Sequence, residues 1–417
     1  MNNEINISTQ FRMANEKNSI EKVHFENLSL LILKVTNKCN LHCIYCHENK
    51  LNIPDMSMDI FRNTINSLIP NSCRNKITIL FHGGEPSLMD IGWYQNAIEA
   101  IHEIERKFGK KIKLSMQSNL VKLTNEQIDF YRKNEINISA SLDGIPRINN
   151  LSRGSGDKIV RNIKKAVEAK ILRSILTVIN ENNYDQMYTF AKWIWTELGI
   201  RALKANVVYP VGNYKGHNPI SADKIFLAWK QMIEYMIETN GVNLYESNLQ
   251  QKIFRFFNED LLTFQGNTIC NKINCGAGTQ TVAITSNGKI LPCGRFLSND
   301  KDWIIGEVNL DNLQLHQYQS VMEKFDEITY RKSLKCNSCD AKSICDYRCN
   351  AFLDRINYNF DSYCEAERQL FNYFCENQSL IKGLYSQFNL QSLFPIISNT
   401  NNWDDYSDMR CDYSDNW

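Results

Sequence analysis

What this 417-residue chain lacks excludes several classes of function. Its 47 lysines and arginines are offset by 46 aspartates and glutamates, for a formal net charge of +1, so no positive excess argues for nucleic acid. No stretch reaches the ~18 consecutive apolar residues that a membrane-spanning helix requires. The opening Met1-Asn2-Asn3-Glu4-Ile5-Asn6 has no basic segment followed by an apolar one, so no export signal is read there. Internal repeats and long low-complexity segments are also missing. These absences predict a cytoplasmic protein that engages neither membrane nor nucleic acid.

What is present is cysteine, 14 residues of it, and a 43% hydrophobic content sufficient for a large core. In a reducing compartment such thiols stay unpaired, which makes metal or cluster ligation their expected use. The length suggests two to three domains at ~150 residues each.

From about Leu28 to Tyr209, short apolar runs alternate with longer amphipathic stretches. Strands are expected at Leu28–Thr36, Ile77–His82, Ile112–Ser118, Ile136–Leu142, Leu172–Ile179 and Ala202–Val208. Helices are expected around Met58–Leu68, Trp93–Phe108, Asn125–Lys133, Lys158–Lys170 and Tyr184–Trp195. Strands too continuously apolar to be half exposed, each followed by a helix, indicate a parallel sheet covered by helices. Six such units predict an α/β partial (β/α)6 TIM-like barrel, whose functional residues gather at the C-terminal ends of the strands. The chain divides into an N-terminal extension (1–27), the barrel (28–220), a helical linker (221–265), a cysteine-dense region (266–365), and a C-terminal helix with an acidic and aromatic tail (366–417).

The most informative segment is Cys39-Asn40-Leu41-His42-Cys43-Ile44-Tyr45-Cys46, directly after the first expected strand. Thiolates hold iron–sulfur clusters, and a loop supplying three sulfurs to a four-iron cluster leaves one iron open. A zinc site is the competing reading, though zinc sites usually complete four protein ligands with paired Cys-x2-Cys or histidine spacings. The Cys-x3-Cys-x2-Cys spacing, with aromatic Tyr45 before its last member, resembles the signature of the radical S-adenosylmethionine (radical SAM) enzymes. The resemblance implies a [4Fe-4S] cluster on Cys39, Cys43 and Cys46 whose free iron chelates SAM. Electron transfer to SAM would release a 5′-deoxyadenosyl radical that abstracts hydrogen from the substrate, with the cofactor carrying the hard step.

Phe81-His82-Gly83-Gly84-Glu85-Pro86 resembles the glycine-glycine-glutamate-proline motif of the same enzymes. Glycine removes a Cβ that would keep backbone from the SAM amino group, and Glu85 offers an acceptor for it. Gln117-Ser118-Asn119 and Ser141-Leu142-Asp143-Gly144, followed by Arg153, resemble segments that line the SAM ribose and carboxylate in the peptide-modifying branch. Ser118, Asn119, Asp143 and Arg153 supply suitable donors and acceptors, with Arg153 able to bind a carboxylate bidentately.

Further along, Cys336-x2-Cys339-x5-Cys345-x3-Cys349, then Cys364, preceded by Cys275 and Gly288-x4-Cys293, resembles the seven-cysteine SPASM domain. The resemblance implies two auxiliary [4Fe-4S] clusters. Cys336, Cys339, Cys345 and Cys364 would hold the outer one. Cys275, Cys293 and Cys349 would hold the inner one, with Cys270 as its fourth ligand or, failing that, an open iron. Cys73, Cys375 and Cys411 match no position of the pattern and are expected to be buried or bystander thiols.

Radical SAM proteins with this domain mostly modify peptides. The resemblance therefore implies a maturase that crosslinks side chains of a ribosomally made precursor peptide, as a carbon–carbon cyclophane in preference to a thioether or ether. In anaerobic sulfatase-maturating enzymes an aspartate base follows the cysteine matching Cys293; here the residue is Gly294, and glycine removes no proton. Formylglycine formation is thus the second reading, and a non-catalytic iron–sulfur electron-transfer protein a third. Asp340, Asp346, Tyr347 and Arg295 are candidate proton or substrate handlers. Expected partners are the precursor peptide, a separate leader-peptide recognition protein that the tail from Trp403 to Trp417 could meet, and a reductant such as flavodoxin or ferredoxin.

Overall fold

The computed structural model describes residues 24–48, 52–257, 269–270, 275–309, 312–346, 348–353 and 361–393. The N-terminal extension as far as residue 23, Tyr347, Cys411 and the tail from residue 394 lie outside the described residues. Strands run in chain order as β1 (Leu30–Thr36), β2 (Lys76–Gly83), β3 (Lys111–Ser118), β4 (Asn137–Ser141), β5 (Leu172–Ile179), β6 (Ala202–Val207), β7 (Tyr245–Glu246), β8 (Thr281–Thr285), β9 (Lys289–Leu291), β10 (Gly306–Val308) and β11 (Leu313–Leu315). The six strands and five helices expected between Leu28 and Tyr209 are all present, with ends within three residues of the expected ones. Their alternation is that of a TIM-like α/β fold.

The described residues form two compact units. The first draws on Met1–Lys38, Lys50–Ser115 and Gly276–Glu323. Its strands follow the order β11-β10-β9-β8-β1-β2, continuing into the first half of β3. β1 is parallel to both neighbours, with Leu30 opposite Thr78 on one side and Thr281 on the other. Flanked on both edges, β1 buries every residue from Leu31 to Thr36, as its unbroken apolar run requires. β8 to β11 are antiparallel to one another. They come from the segment expected in the cysteine-dense region, yet β8 extends the sheet beside β1.

Helix Met58–Leu68 starts where Ser57 Oγ accepts the Ile60 N–H at 3.2 Å. Helix Ile91–Phe108 starts on Asp90 and stops on Gly109, which takes a left-handed φ of 64°. Phe61 meets Trp93 edge-on at 5.3 Å, and Phe81 meets Tyr94 at 5.1 Å, fixing both helices on the sheet.

The second unit draws on Cys39–Asn49, Met116–Cys275 and Lys324–Trp417. Its strands β4-β5-β6-β7 are all parallel. The expected helical linker proves to be two helices, Ala222–Glu238 and Ser247–Phe257, with the two-residue β7 between them extending the sheet. Beyond the cysteines lie helices Asp361–Glu376 and Gln378–Leu393, the second of which the polar-tail expectation missed. Phe388 anchors it in a slot at Gly241, where a Cβ would come within 2.8 Å of the ring. Among the described residues no helix is long and apolar enough to cross a membrane.

Candidate active site

Each chemistry-bearing segment follows the C-terminal end of its own strand: Cys39 after β1, Gly83 at the end of β2, Ser118 at the end of β3, Asp143 after β4 and Arg153 on the same connection. The ends of parallel strands are where such folds carry function, because loops there are free of the sheet's hydrogen-bond ladder.

In the second unit, Cys39, Cys43 and Cys46 are unpaired and half-buried. Burial pushes the Cys43 thiol up to about 11, the nearby Arg153 charge pulls it down, and Asp143, Cys46 and Cys39 push it further up. Cys46 is likewise raised, first by burial. Such thiols lose their protons on binding an electropositive metal, as a cluster's irons would require. Among the described residues no three histidine, cysteine, aspartate or glutamate side chains converge as ligands of one ion. Three cysteine thiols on one short loop are the donor type that an iron–sulfur cluster takes.

Backbone contacts hold this loop. The Ile44 N–H donates to Ser152 O at 3.0 Å and the Asn213 N–H to Cys46 O at 2.9 Å. Asn213 Nδ2 donates to Cys43 O at 3.1 Å. Gly212, at φ 60°, passes so close that a Cβ there would lie 2.3 Å from Cys46 O and 2.5 Å from His47 Cα. Sequence reasoning missed Gly212 and Asn213; the signal was their position just after β6. Asn119 Nδ2 donates to Asn40 Oδ1 at 2.9 Å and lies 3.8 Å from Cys39 Sγ. Ser118 is almost wholly buried, and its hydroxyl accepts the Leu120 N–H at 3.0 Å, supporting the left-handed φ of 52° at Leu120.

The electrostatic centre of the loop is Asp143, which is fully buried. It accepts from the Tyr45 hydroxyl, from the Val178 N–H at 2.9 Å and from Thr177 Oγ1 at 3.3 Å. Arg153 Nε sits 3.1 Å from the Asp143 carboxylate, while Arg153 Nη1 lies 3.9 Å from Cys43 Sγ and the guanidinium 5.3 Å from the Tyr45 ring centre. Three of the residues expected around SAM and the loop, Tyr45, Asp143 and Arg153, therefore meet. Burial raises the Tyr45 hydroxyl well above its usual range, keeping it a donor. The short helix Pro146–Ser152 delivers Arg153, and Asn149 Oδ1 accepts the Asp143 N–H at 3.1 Å.

In the first unit, Gly83 and Gly84 make a close crossing with the end of β1. A Cβ on Gly83 would lie 2.4 Å from Thr36 O, and one on Gly84 2.3 Å from Lys38 O. The Gly84 N–H donates to Thr36 O and the Glu85 N–H to Lys38 O, both at 2.8 Å. The glycine pair thus lets the end of β2 cross closely over the end of β1. Glu85 is buried and its Oε1 accepts the Ser87 N–H at 2.9 Å; Pro86 O accepts from Tyr94 Oη at 2.9 Å.

Of the later cysteines, Cys293 lies in the first unit and accepts the Arg295 N–H at 3.5 Å. Fully buried Lys34 reaches from β1 to the Phe296 carbonyl, tying that turn down. Gly294 packs on Ile32, where a Cβ would come to 3.1 Å. Cys275, Cys336, Cys339, Cys345, Cys349 and Cys364 lie in the second unit, with Cys345 buried and the rest half-buried; Cys270 is exposed. Burial pushes the Cys336 thiol up and the charges of Cys364 and Cys339 add to it, while Arg348 Nη2 lies 3.9 Å from Cys345 Sγ. Aromatic contacts run His47–Phe352 (6.0 Å), Phe352–Tyr209 (4.8 Å) and Tyr209–Tyr363 (4.6 Å, stacked), joining the first cysteine loop to the neighbour of Cys364. Burial pushes the Asp346 carboxyl up, but Lys252 and Arg255, each paired with it at 2.8 Å, outweigh burial and hold it below the usual range. Cys73 and Cys375 are exposed, so neither is a buried thiol.

Residues 33–194 match the family model of the Radical SAM superfamily. The chain is 24% identical over 377 residues to a cysteine-type anaerobic sulfatase-maturating enzyme of Clostridium novyi, covering 83% of this chain and 95% of that one. It is 23% identical over 351 residues to AlbA, the antilisterial bacteriocin subtilosin biosynthesis protein of Bacillus subtilis, covering 78% and 72%. Among solved structures, native anSMEcpe with bound AdoMet and the Cp18Cys peptide superposes with a TM-score of 0.70 at 21% identity, covering 86% of this chain and 99% of that one. Streptococcus suis SuiB bound to the precursor peptide SuiA gives 0.55 at 17% identity, covering 85% and 79%. Both share the fold.

Proposed function

We propose, from the premise that residues 33–194 are a radical SAM domain, that this chain is a peptide-modifying enzyme which crosslinks side chains in a ribosomally made precursor peptide. The observation that carries the catalytic part is the three-thiol loop with Arg153 and Asp143 pinned against it. Cys39, Cys43 and Cys46 would hold a [4Fe-4S] cluster, and Tyr45, Gly83, Gly84, Glu85, Pro86, Ser118, Asn119, Asp143 and Arg153 would surround SAM. The cluster and SAM together supply a hydrogen-abstracting radical. What the chain's own residues do is narrower. Asp143 orients Arg153 and neutralises part of its charge, Asn119 steadies the loop beside Cys39, and Gly212 with Asn213 fixes the loop's far side. Cys270, Cys275, Cys293, Cys336, Cys339, Cys345, Cys349 and Cys364 would hold two auxiliary clusters.

The finer claim, a carbon–carbon crosslink in preference to formylglycine, rests on Gly294. An aspartate base is expected there in sulfatase maturases, and the tight contact with Ile32 gives a longer side chain little room. Formylglycine formation is retained as the second reading because sequence similarity to the C. novyi enzyme runs over nearly its whole length. A leader-recognition protein and a flavodoxin- or ferredoxin-type reductant complete the proposed set of partners, in the cytoplasm.

Anaerobic coexpression with a short open reading frame sought beside the gene, followed by tandem mass spectrometry and an aldehyde-reactive hydrazide, separates the two. A loss of two hydrogens, no hydrazide adduct, and fragmentation blocked between two residues is the expected result. A hydrazide adduct at a cysteine or serine would move the assignment to formylglycine. Failure of the reduced protein to turn SAM into 5′-deoxyadenosine would remove both.

A further inference from the structure

The second unit buries a set of cations next to the later cysteines. Lys332, on helix Tyr318–Cys336, is almost wholly inaccessible. Its Nζ donates to Asn350 Oδ1 at 2.6 Å and to Arg348 O at 3.5 Å, the residues on either side of Cys349, and Cys336 lies one helical turn further along its own helix. Burial lowers its pKa, and the charges of Cys275, Cys349, Cys336 and Cys345 act in the opposite direction. Two of these, Cys336 and Cys345, belong to the set proposed for the outer cluster; Cys275 and Cys349 belong to the inner set. Arg348, by contrast, lies near outer-set thiols: 3.9 Å from Cys345 Sγ and within electrostatic reach of Cys364 and Cys336. It is held by Glu367 Oε1 at 2.7 Å and by Tyr363 O at 3.1 Å.

We infer that Lys332 is a positioning residue shared by the two auxiliary clusters, its buried ammonium setting the reduction potential of both. The inference rests on the reading of these cysteines as cluster ligands. Reduction adds one electron to a cluster and breaks no bond, so the cluster's net charge becomes more negative by one. A fixed positive charge in a low-dielectric interior stabilises the reduced form more than the oxidised one, and the interaction is weakly screened. Hydrogen bonding and charge around the sulfurs are established levers on such potentials. Crosslinking requires the substrate to surrender an electron as well as a hydrogen atom. An auxiliary cluster poised by Lys332 is the acceptor this arrangement favours.

The test is a mediated dithionite titration of the anaerobically reconstituted full chain, followed by electron paramagnetic resonance, with iron measured on the same samples. Substituting Lys332→Met removes the charge and keeps the length, and should make reduction of both auxiliary clusters at least tenfold less favourable, 59 mV for a one-electron couple. The N-terminal cluster should not move. Lys332→Arg should return both auxiliary signals to near wild type. If Lys332→Met costs auxiliary iron, Lys332 holds the clusters in place rather than setting their potential, and the inference is overturned. Auxiliary iron present with unshifted potentials, or Lys332→Arg behaving like Lys332→Met, overturns the inference alone. Wild-type protein with iron for the N-terminal cluster only overturns the reading of the cysteines and the inference with it.

Discussion

At the scale of single residues, the site depends on a few positions where one atom decides. Gly212 is the sharpest. Gly212→Ala would place a Cβ 2.3 Å from Cys46 O at a φ of 60°, against rigid backbone on both counts. The left-handed conformation alone costs about 1–2 kcal/mol for a residue with a Cβ. The variant should melt several degrees below wild type and take up less iron at the N-terminal loop, measured by calorimetry and iron analysis. Arg153 makes a different case. Arg153→Met would leave Asp143 buried without its cation, and removing one partner of a buried pair typically costs about 3–5 kcal/mol. The expected outcome is a large fall in stability with SAM affinity lost, while Arg153→Lys recovers stability in part without restoring bidentate geometry. The residue types of this site were legible in the sequence because spacing alone exposes Cys39, Cys43 and Cys46. Gly212 and Asn213 were not legible, because a glycine's role depends on which distant backbone approaches it.

At the scale of elements, the junction of β7 with helix Ser247–Phe257 is built around a buried carboxyl. Glu246 accepts the Ala205 N–H at 2.8 Å and the Leu249 N–H at 2.6 Å. Burial nonetheless pushes its pKa up to about 7 from the ordinary 4.5. A raised folded pKa means the native state holds the proton more tightly than the unfolded chain. This contribution to stability is therefore complete below about 4.5 and is lost as pH rises through about 7. Wild type should lose stability over that window relative to Glu246→Gln, whose amide cannot ionise; parallel melting curves for the two proteins from pH 5 to 8 would refute it. The β/α succession itself was readable, since the alternation of apolar runs and amphipathic stretches fixes element type. The short helix Pro146–Ser152 was not, being only seven residues long and lacking a side-chain cap, yet it carries Arg153. Helix Gln378–Leu393 was hidden for a similar reason: its polar composition masks anchors such as Phe388 that only a partner surface reveals.

At the scale of the whole molecule, the proposed function uses several cysteine sets in one chain, and they can be dissected. The triple variant Cys39→Ala, Cys43→Ala, Cys46→Ala should lose about one third of the bound iron, one cubane of three, and all 5′-deoxyadenosine production, with the auxiliary signals kept. Retained SAM cleavage would refute the assignment. Sequence alone determined the alternating α/β order, the ends of the strands that carry the chemistry, and the three-thiol loop, because periodicity and spacing are local properties that the chain cannot hide. Only the tertiary structure decided that β8 returns to pair with β1, that Gly83 and Gly84 cross closely over the end of β1, and that Lys332 bonds to the residues on either side of Cys349. Those relations join residues far apart in the chain, and close approach between distant backbone and side chains is set by packing, which no local pattern records.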